Sequence, residues 1–286
     1  MTPRWSGDWA LEVPAEEPLV DVLIPSFGRA AELAVTLSGL AAQEGVSFRV
    51  VISDQTEGEA AFAQPVVRAM VRVLEAQGRR VQLERHLPRR GLAEQRAFLL
   101  GLAEAPSVLF LDNDVWLEPG TLRRMTDALR AAGCGFVGSA VQGLSYLGDD
   151  RPEERSGLAF WPDNEVQPER IRPGSDGFDR WPLHNAANLT HAAAEHAVPF
   201  GGWNLYRIAW VGGCVLFDRA ALVECGGFDF WERLPTDHAG EDVAAQWRVM
   251  ERFGGAGMLP SGAVHLEAPT TVPNRDTDAA RVVLGQ

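Results

Sequence analysis

Short apolar runs alternate with segments of helical periodicity over the first 111 residues, and few classes of fold accommodate that pattern. Between the runs, apolar residues recur at helical spacing, as in Leu33, Leu37 and Leu40. Alternation of this kind predicts βαβ units, and therefore an α/β fold with a Rossmann-like, mostly parallel sheet flanked by helices. The predicted strands are Val20–Ile24, Phe48–Ile52, Val81–Leu83 and Ser107–Leu111.

Charge and apolar content limit the partners of the chain. The formal charge of −13 argues against nucleic acid, whose phosphates repel an acidic surface. No apolar run approaches the ~20 residues of a membrane span, and residues 1–17 lack the basic start and apolar stretch of a secretory signal. We therefore expect no transmembrane segment and a cytoplasmic location, with peripheral association at the inner face of the membrane as an alternative.

The basic and sulfur-bearing residues exclude several chemistries. All 26 basic residues are arginine, so the chain has no Schiff-base or P-loop lysine. Cys134, Cys214 and Cys225 lack C-x-x-C spacing, which argues against a zinc knuckle or a disulfide framework. A ligand that bears phosphate must therefore meet arginine or a bound cation.

Beyond the first strands, the chain divides into an irregular middle and a regular last third. Residues 145–206 are rich in Pro, Asp, Arg, Trp, Asn and His between the apolar runs Phe136–Val141 and Trp210–Phe217, and their aromatic content argues against disorder. We predict an ordered insertion there that forms one wall of a cleft. A helix capped by Asp218, a helix that begins at Glu241, a strand over Ala263–Leu266 and a loose tail are expected to follow.

Polar residues follow three of the predicted strands, at the sheet edge where ligands of such folds bind. They are Pro25-Ser26-Phe27, Asp54-Gln55-Thr56-Glu57 and Asp112-Asn113-Asp114. Two carboxylates one residue apart, as in the last turn, can present oxygen ligands to Mg²⁺ or Mn²⁺ and leave positions open for substrate phosphates. Because Asp, Asn, Ser and Pro are common in any turn, an ordinary polar turn is the alternative for each.

Five further residues are candidates for the chemistry. Glu241 or Asp242 could supply a general base, or could only cap the helix they begin. His265 could complete a metal site, or be an ordinary edge histidine. Arg96 could pair with a diphosphate or with Asp54, or only extend its head to solvent, and Gly213 could mark a close approach by a ligand or a packing contact.

Taken in order, these features resemble glycosyltransferase family 2, whose members share the GT-A fold. The matching segments are Val20–Arg29 for the first strand and its I-P-x-y-N turn, Val50–Thr56 for V-V-D-D-G-S, Gly91–Ala97 for G-x-x-x-A-R-N, Leu111–Asp114 for D-x-D, Val211–Cys214 for the acceptor-side strand, Gly226–Asp229 for G-G-F-D, and Glu241-Asp242 for E-D. Two positions depart from the pattern, since Ser53 stands at the first acidic position and Ala97 at the motif Asn. The resemblance spans roughly residues 20–265.

The resemblance implies an inverting transfer of a sugar from a nucleotide-sugar, most commonly a UDP-sugar, to an acceptor hydroxyl. The acceptor would be a glycan, a lipid-linked or a small molecule, in polysaccharide, cell-envelope or glycoconjugate synthesis. The implied sites are Asp242 and Glu241 for catalysis, with Asp242 preferred as base; Pro25, Ser26, Asp54, Arg96, Asp112 and Asn113 for the donor nucleotide; Asp112, Asp114 and His265 for Mn²⁺ or Mg²⁺; and Gly213, Trp181 and Trp203 on the acceptor side.

The implied domain organisation is one GT-A domain over residues 1–286. Residues 18–141 would form the nucleotide-sugar-binding half, 142–209 the insertion, 210–267 the acceptor-side half and 268–286 the tail.

Three other functions compete with this interpretation. A nucleotidyltransferase usually needs a glycine-rich basic loop over the triphosphate, which the region near the first strand lacks. A phosphatase of the D-x-D-x-T type is disfavoured because Trp116 stands where threonine is needed. A non-catalytic nucleotide- or sugar-binding relative remains open, although it has less need of a candidate base beside a candidate metal site.

Overall fold

The computed structural model describes residues 6–11, 13, 16–184, 188–272 and 274–285. Its β-strands in this part of the chain are β1 Val20–Ser26, β2 Phe48–Asp54, β3 Val81–Arg85, β4 Ser107–Leu111, β5 Val115–Leu117, β6 Phe136–Gly138, β7 Gln142–Gly143, β8 Asn204–Tyr206, β9 Cys214–Asp218, β10 Gly255–Leu259 and β11 Ala263–His265. Its α-helices are α1 Ala30–Ala41, α2 Pro65–Ala76, α3 Leu92–Gly101, α4 Thr121–Ala132, α5 Asn188–Glu195, α6 Arg219–Glu224, α7 Glu241–Phe253 and α8 Ala279–Leu284.

The central sheet has eight strands in the order β3-β2-β1-β4-β9-β6-β10-β8. The pairs β3-β2, β2-β1, β1-β4 and β6-β10 are parallel, whereas β9 runs antiparallel to both of its neighbours and β8 runs antiparallel to β10. The predicted α/β class with a mainly parallel sheet flanked by helices is therefore confirmed.

Alternate residues of the central strands enter two apolar cores. In β1, Val22 and Ile24 pack in the core shared with α1, α2 and α4, whereas Leu23 packs in the core shared with α3, α6 and α7. Every residue of β1 and β2 is buried. Because helices cover both faces, the strands read as mostly apolar runs, which is why the sequence pattern predicted them.

The strands predicted after the first four differ in extent from those observed. The run Phe136–Val141 forms only β6, and the run Trp210–Phe217 contributes a strand only from Cys214. Before that strand, Gly213 takes a φ of +77°, a conformation that favours glycine and interrupts the extended chain. The apolar pattern marked burial correctly but did not mark where extended backbone begins.

The insertion and the C-terminal residues are more regular than predicted. The insertion contains α5, several 3₁₀ turns and β8, which forms one edge of the central sheet. The residues after Glu267, expected as a loose tail, include α8, whose Ala280 is buried in the same core as α7. Asp278 caps α8 by accepting hydrogen bonds from the backbone N–H groups of Ala280 and Arg281.

A second, three-stranded sheet stands beside the carboxyl end of β4. Its order is β5-β11-β7, with β11 antiparallel to β5 and parallel to β7. His265 pairs in register with Val115, the residue after Asp114. This sheet brings the late histidine to the acidic turn, although 150 residues separate them in sequence.

Candidate active site at the carboxyl edge of the sheet

A cleft of about 290 Å³ opens at the carboxyl ends of β1, β2 and β4. One wall is the sheet edge, with Pro25, Ser26, Phe27, Gln55, Asp112, Asn113 and Asp114. The facing wall contains Ala268, Thr270, Thr271, Val272 and Arg275, which belong to what we call the C-terminal segment, residues 268–272 and 274–276. The cleft therefore brings residues of all three predicted turns together with residues from the last part of the chain.

The acidic turn is held in place by β9 and by β1. The backbone N–H of Asp112 donates to the carbonyl of Gly213 at 2.9 Å, and the Asn113 amide donates to Ser26 Oγ at 3.3 Å. A Cβ at Gly213 would lie 2.9 Å from Val141 Cγ1 and 3.6 Å from Asp112 Oδ2. Gly213 thus allows the chain before β9 to approach the acidic turn closely, and its predicted place on the acceptor side stays a prediction.

Arg29 lies where β1 turns into α1 and contacts the acidic turn directly. Its Nη1 donates to Asp114 Oδ2 and, at 3.4 Å, to Asn113 Oδ1, while its Nη2 donates to the carbonyl of Pro269. The sequence showed an arginine in this turn but no sign of its partners. A single guanidinium therefore connects the turn after β1, the D-x-D turn and the C-terminal segment.

His265 lies beside Asp114, with 3.5 Å between its Nε2 and Asp114 Oδ2. Its Nδ1 accepts a hydrogen bond from the backbone N–H of Glu267 at 2.9 Å. A neutral ring that accepts at Nδ1 carries its proton on Nε2, so the nitrogen that faces Asp114 bears a hydrogen and has no free lone pair. To bind a cation at Nε2, His265 would have to give up its bond with Glu267.

The donor set at this turn suits a cation held mainly by carboxylates. In the part of the chain that the structure describes, no three His, Cys, Asp or Glu side chains converge as a metal site. Asp112 and Asp114 nevertheless both line the cleft. Two carboxylates completed by substrate phosphates and water are a common arrangement for Mg²⁺, so these residues fit such an ion without a third protein ligand.

Arg96 is buried on α3 between two acidic groups. Its Nη2 lies 3.1 Å from Asp112 Oδ1, and its Nε lies 3.2 Å from Glu241 Oε1. Asp54, one of the alternative partners suggested for Arg96, is not paired with it among the described residues. Arg96 instead links the acidic turn to the start of α7, and its guanidinium is not part of the cleft lining described above.

The two carboxylates that begin α7 have different surroundings. Glu241 is almost fully buried and is paired with Arg96, whereas Asp242 keeps some accessible surface and has no ion pair within the described residues. A Cβ at Gly212 would lie 3.9 Å from Asp242 Oδ2. Burial and the negative charge of Glu241 raise the pKa of Asp242 to about 7. Asp242 is therefore a carboxyl that can exchange a proton near neutral pH.

Asp54 does not line the cleft, although its turn was predicted to hold the nucleotide. Its carboxylate accepts from Thr56 Oγ1 at 2.6 Å, from Thr56 N at 3.2 Å and from Ala61 N at 2.8 Å, and the residue is fully buried. These bonds fix the local loop and leave no accessible surface for a ligand. The next residue, Gln55, lines the cleft instead.

Trp181 and Trp203, predicted on the acceptor side, do not line this cleft in the described part of the chain. Trp181 lies in the 3₁₀ segment Phe178–His184 and is 45% exposed. Trp203 packs, partly buried, against the core that contains α1, α2 and α4. Their place on the acceptor side stays a prediction.

Among the described residues, every helix is too short or too polar to cross a membrane.

Comparison with a family model and with a curated relative places the sequence among known proteins. The model of glycosyl transferase family 2 matches residues 21–192. An uncharacterized protein of Mycobacterium tuberculosis, MT1568, is 25% identical over 234 residues, which cover 76% of this chain. The chain spans 62% of the length of that relative.

Solved structures resemble the fold at low sequence identity. Residues 1–349 of S. aureus TarS give a TM-score of 0.54 at 14% identity, covering 86% of this chain and 60% of TarS 1–349, and a complex of the same protein with UDP-GlcNAc gives 0.54 at 12%, covering 88% and 60%. The mannosyltransferase PcManGT from Pyrobaculum calidifontis, in complex with GDP-Man and Mn²⁺, gives 0.53 at 18%, covering 93% and 64%. These likenesses confirm the predicted GT-A architecture.

Proposed function

The chain belongs to glycosyl transferase family 2, and on that premise we propose that it transfers a sugar from a nucleotide-sugar to an acceptor hydroxyl with inversion at the sugar. The observation that carries this proposal is the cleft in which Asp112 and Asp114 lie beside the side chain of Arg29. In a chain with a formal charge of −13, such a site offers a diphosphate both an arginine and a place for a cation. Structural neighbours bound to UDP-GlcNAc and to GDP-Man with Mn²⁺ support a nucleotide-sugar donor.

We propose the cleft as the donor site. Pro25, Ser26 and Gln55 would contact the nucleoside, and Asn113 and Arg29 the diphosphate. Asp112 and Asp114 would hold Mn²⁺ or Mg²⁺, which when bound neutralises the charge that develops on the departing diphosphate. His265 would support Asp114 through its Nε2–H, and Arg96 would hold Asp112 and Glu241 in position.

Asp242 is the proposed general base. It has some accessible surface and a pKa raised to about 7, whereas Glu241 is occupied by Arg96. In this role, Asp242 takes the proton of the acceptor hydroxyl as that oxygen attacks the sugar from the face opposite the diphosphate. Attack from that face inverts the configuration at the sugar carbon.

The acceptor side is proposed to lie in the insertion. The insertion at residues 142–209, with Trp181, remains the region expected to select a glycan, lipid-linked or small-molecule acceptor. Asp242, at the start of α7, is the residue that the acceptor hydroxyl would have to reach. UDP is proposed as the donor nucleotide, with a role in polysaccharide, cell-envelope or glycoconjugate synthesis.

Thermal stability against a panel of nucleotides and nucleotide-sugars, each with and without Mn²⁺, tests the donor site. A ligand at ~100 times its dissociation constant that binds only the folded protein adds roughly 2.7 kcal/mol to the free energy of unfolding. We expect one nucleoside diphosphate to give a Mn²⁺-dependent rise. If no nucleotide shifts the protein under any metal condition, the proposal fails.

The Asp242→Asn variant tests the base. We expect it to retain the Mn²⁺-dependent stabilisation by nucleotide, because Asp242 lies outside the donor cleft, and to lose roughly 10²–10⁴-fold in kcat. NMR of the product formed by the wild-type protein would report the anomeric configuration. Full activity of the variant, or a retained configuration, would contradict the mechanism.

A further inference from the structure

Three segments that are distant in sequence meet at one guanidinium in the cleft. Arg29 donates to Asp114 and Asn113 through Nη1 and to the Pro269 carbonyl through Nη2. The side chain of Arg29 is 14% exposed and that of Asp114 only 5%. Arg29 therefore supplies the main positive charge in contact with a nearly buried carboxylate.

A cation and Arg29 compete for the same oxygen. Asp114 Oδ2 already accepts from Arg29 and lies 3.5 Å from His265 Nε2. A divalent ion bound to that oxygen would stand within a few ångströms of the guanidinium, and like charges at such a distance repel strongly in a partly buried site. Binding of the cation therefore requires Arg29 to move or to find a negative partner nearby.

A donor diphosphate is such a partner, because a guanidinium binds phosphate oxygens with two parallel N–H groups. We propose that Arg29 is an exchangeable ligand: it pairs with Asp114 in the free protein and transfers to the donor diphosphate when donor and cation bind together. This inference rests on the proposed function. The transfer frees Asp114 for the cation, and it breaks the bond to Pro269, which uncouples the C-terminal segment from the D-x-D turn.

The exchange predicts that Arg29 has opposite effects on two ligands. With Mn²⁺ alone, Arg29 is a competitor, so Arg29→Gln should tighten Mn²⁺ binding by about threefold or more. With Mn²⁺ saturating, Arg29 is a ligand of the diphosphate, so the same variant should weaken UDP binding on the order of tenfold. Mn²⁺ affinity can be measured by electron paramagnetic resonance and UDP affinity by calorimetry.

Two further variants make the measurement specific. Arg123→Gln removes an exposed guanidinium that pairs with Asp127 and does not line the cleft, so Mn²⁺ affinity should not change. Arg29→Lys keeps the charge but cannot reach Asp114 and Pro269 together, so it should keep most of the competition with Mn²⁺. Hydrogen exchange of the amides of residues 268–272 should rise in both Arg29 variants if the segment depends on this contact.

The outcomes separate this inference from the proposed function. If the wild-type protein binds Mn²⁺ and UDP but Arg29→Gln changes neither affinity, or weakens both, Arg29 is not exchangeable and only the inference fails. If the wild-type protein binds no nucleotide, the proposed function fails, and tighter Mn²⁺ binding by Arg29→Gln would still support the competition at Asp114. Tighter Mn²⁺ binding together with weaker UDP binding supports both.

Discussion

Two aspartate–arginine pairs lie at opposite ends of β1, and they differ in how completely each aspartate is satisfied. At the start of β1, Asp21 accepts from Arg49 at 2.8 and 2.9 Å and from the backbone N–H groups of Glu104 and Ala105, and it is fully buried. At the other end, Asp114 pairs with Arg29 on the wall of a cleft. The same two residue types thus make a fixed structural contact at one end and an accessible contact at the other.

The difference shows that an ion pair alone does not distinguish a structural contact from a functional one. What distinguishes them is whether the aspartate still has surface that a ligand can reach. Asp21 holds four donors and has no surface left for a ligand. Burial and the nearby charge of Asp112 raise the pKa of Asp114, even though Arg29 opposes the shift. A raised pKa means that the folded protein disfavours the charged carboxylate. A further cation beside Asp114 would therefore stabilise its charged form.

Removing the charge at Asp21 should have the largest effect on stability. Asp21→Asn leaves Arg49 buried beside two backbone N–H groups that have lost their charged acceptor, and we expect a loss of about 3–5 kcal/mol in the free energy of unfolding. Urea denaturation measures this loss. Asp127→Asn, which breaks the exposed pair of Arg123 with Asp127 at 3.5 Å, is the matched control and should change stability by less than about 0.5 kcal/mol.

Removing the charge at Asp114 should leave the fold stable and abolish ligand binding. Because the folded state disfavours that charge, Asp114→Asn should change the free energy of unfolding by less than about 1 kcal/mol. It should also remove the roughly 2.7 kcal/mol of stabilisation expected from saturating nucleotide with Mn²⁺. A loss of stability as large as that of Asp21→Asn would remove the distinction between the two pairs.

A smaller effect, on kcat/KM, is expected when the pH is lowered, because Asp242 then becomes protonated. A carboxyl acts as base only when deprotonated, and its pKa is raised to about 7, so kcat/KM should rise with pH below 7 and level off above it. The limiting slope is about tenfold, or 1.4 kcal/mol, per pH unit. The residual activity of Asp242→Asn should not show this rise, and a rise that persists in the variant would assign it to another group.

The smallest effect, on Mn²⁺ affinity, is expected from replacing His265, because the ring nitrogen that faces Asp114 bears a hydrogen. His265→Gln removes a partly exposed contact at 3.5 Å, so Mn²⁺ affinity should fall by less than about fivefold. Calorimetry with Mn²⁺ alone measures this. A much larger loss would mean that the ring binds the cation directly after releasing Glu267, and Asp114 would then share its cation with a third protein ligand.

The sequence predicted the sheet-edge wall of the cleft far better than the wall that faces it. β1, β2 and β4 are mostly apolar runs that end in polar turns, so Ser26 and Asp112 could be placed at one edge from local pattern alone. Arg29 meets Pro269 across 240 residues, and no local pattern indicates such a contact. Strands of three residues, such as β5 and β8, are too short to show a period.

Asp54 shows that a turn predicted from sequence can place its aspartate in a local loop and not on the wall of the cleft. Aspartate is favoured in turns because its carboxylate accepts from the backbone two residues on, and Asp54 does so with Thr56. The same residue type in the same position after a strand serves the cleft at Asp112 and the local loop at Asp54. Asp54 is committed to its loop by the hydrogen bonds that it accepts from Thr56 and from the backbone N–H of Ala61.

The position of β9 constrains the order in which the chain can fold during synthesis. β9 lies between β4 and β6, yet residues 139–213 are made after β6 and before β9. β3, β2, β1 and β4 can therefore pair as soon as they leave the ribosome, whereas β6 has no neighbour until residue 218 emerges. A nascent chain of about 200 residues would expose the unpaired edge of β4, which is the state most open to aggregation or to a chaperone.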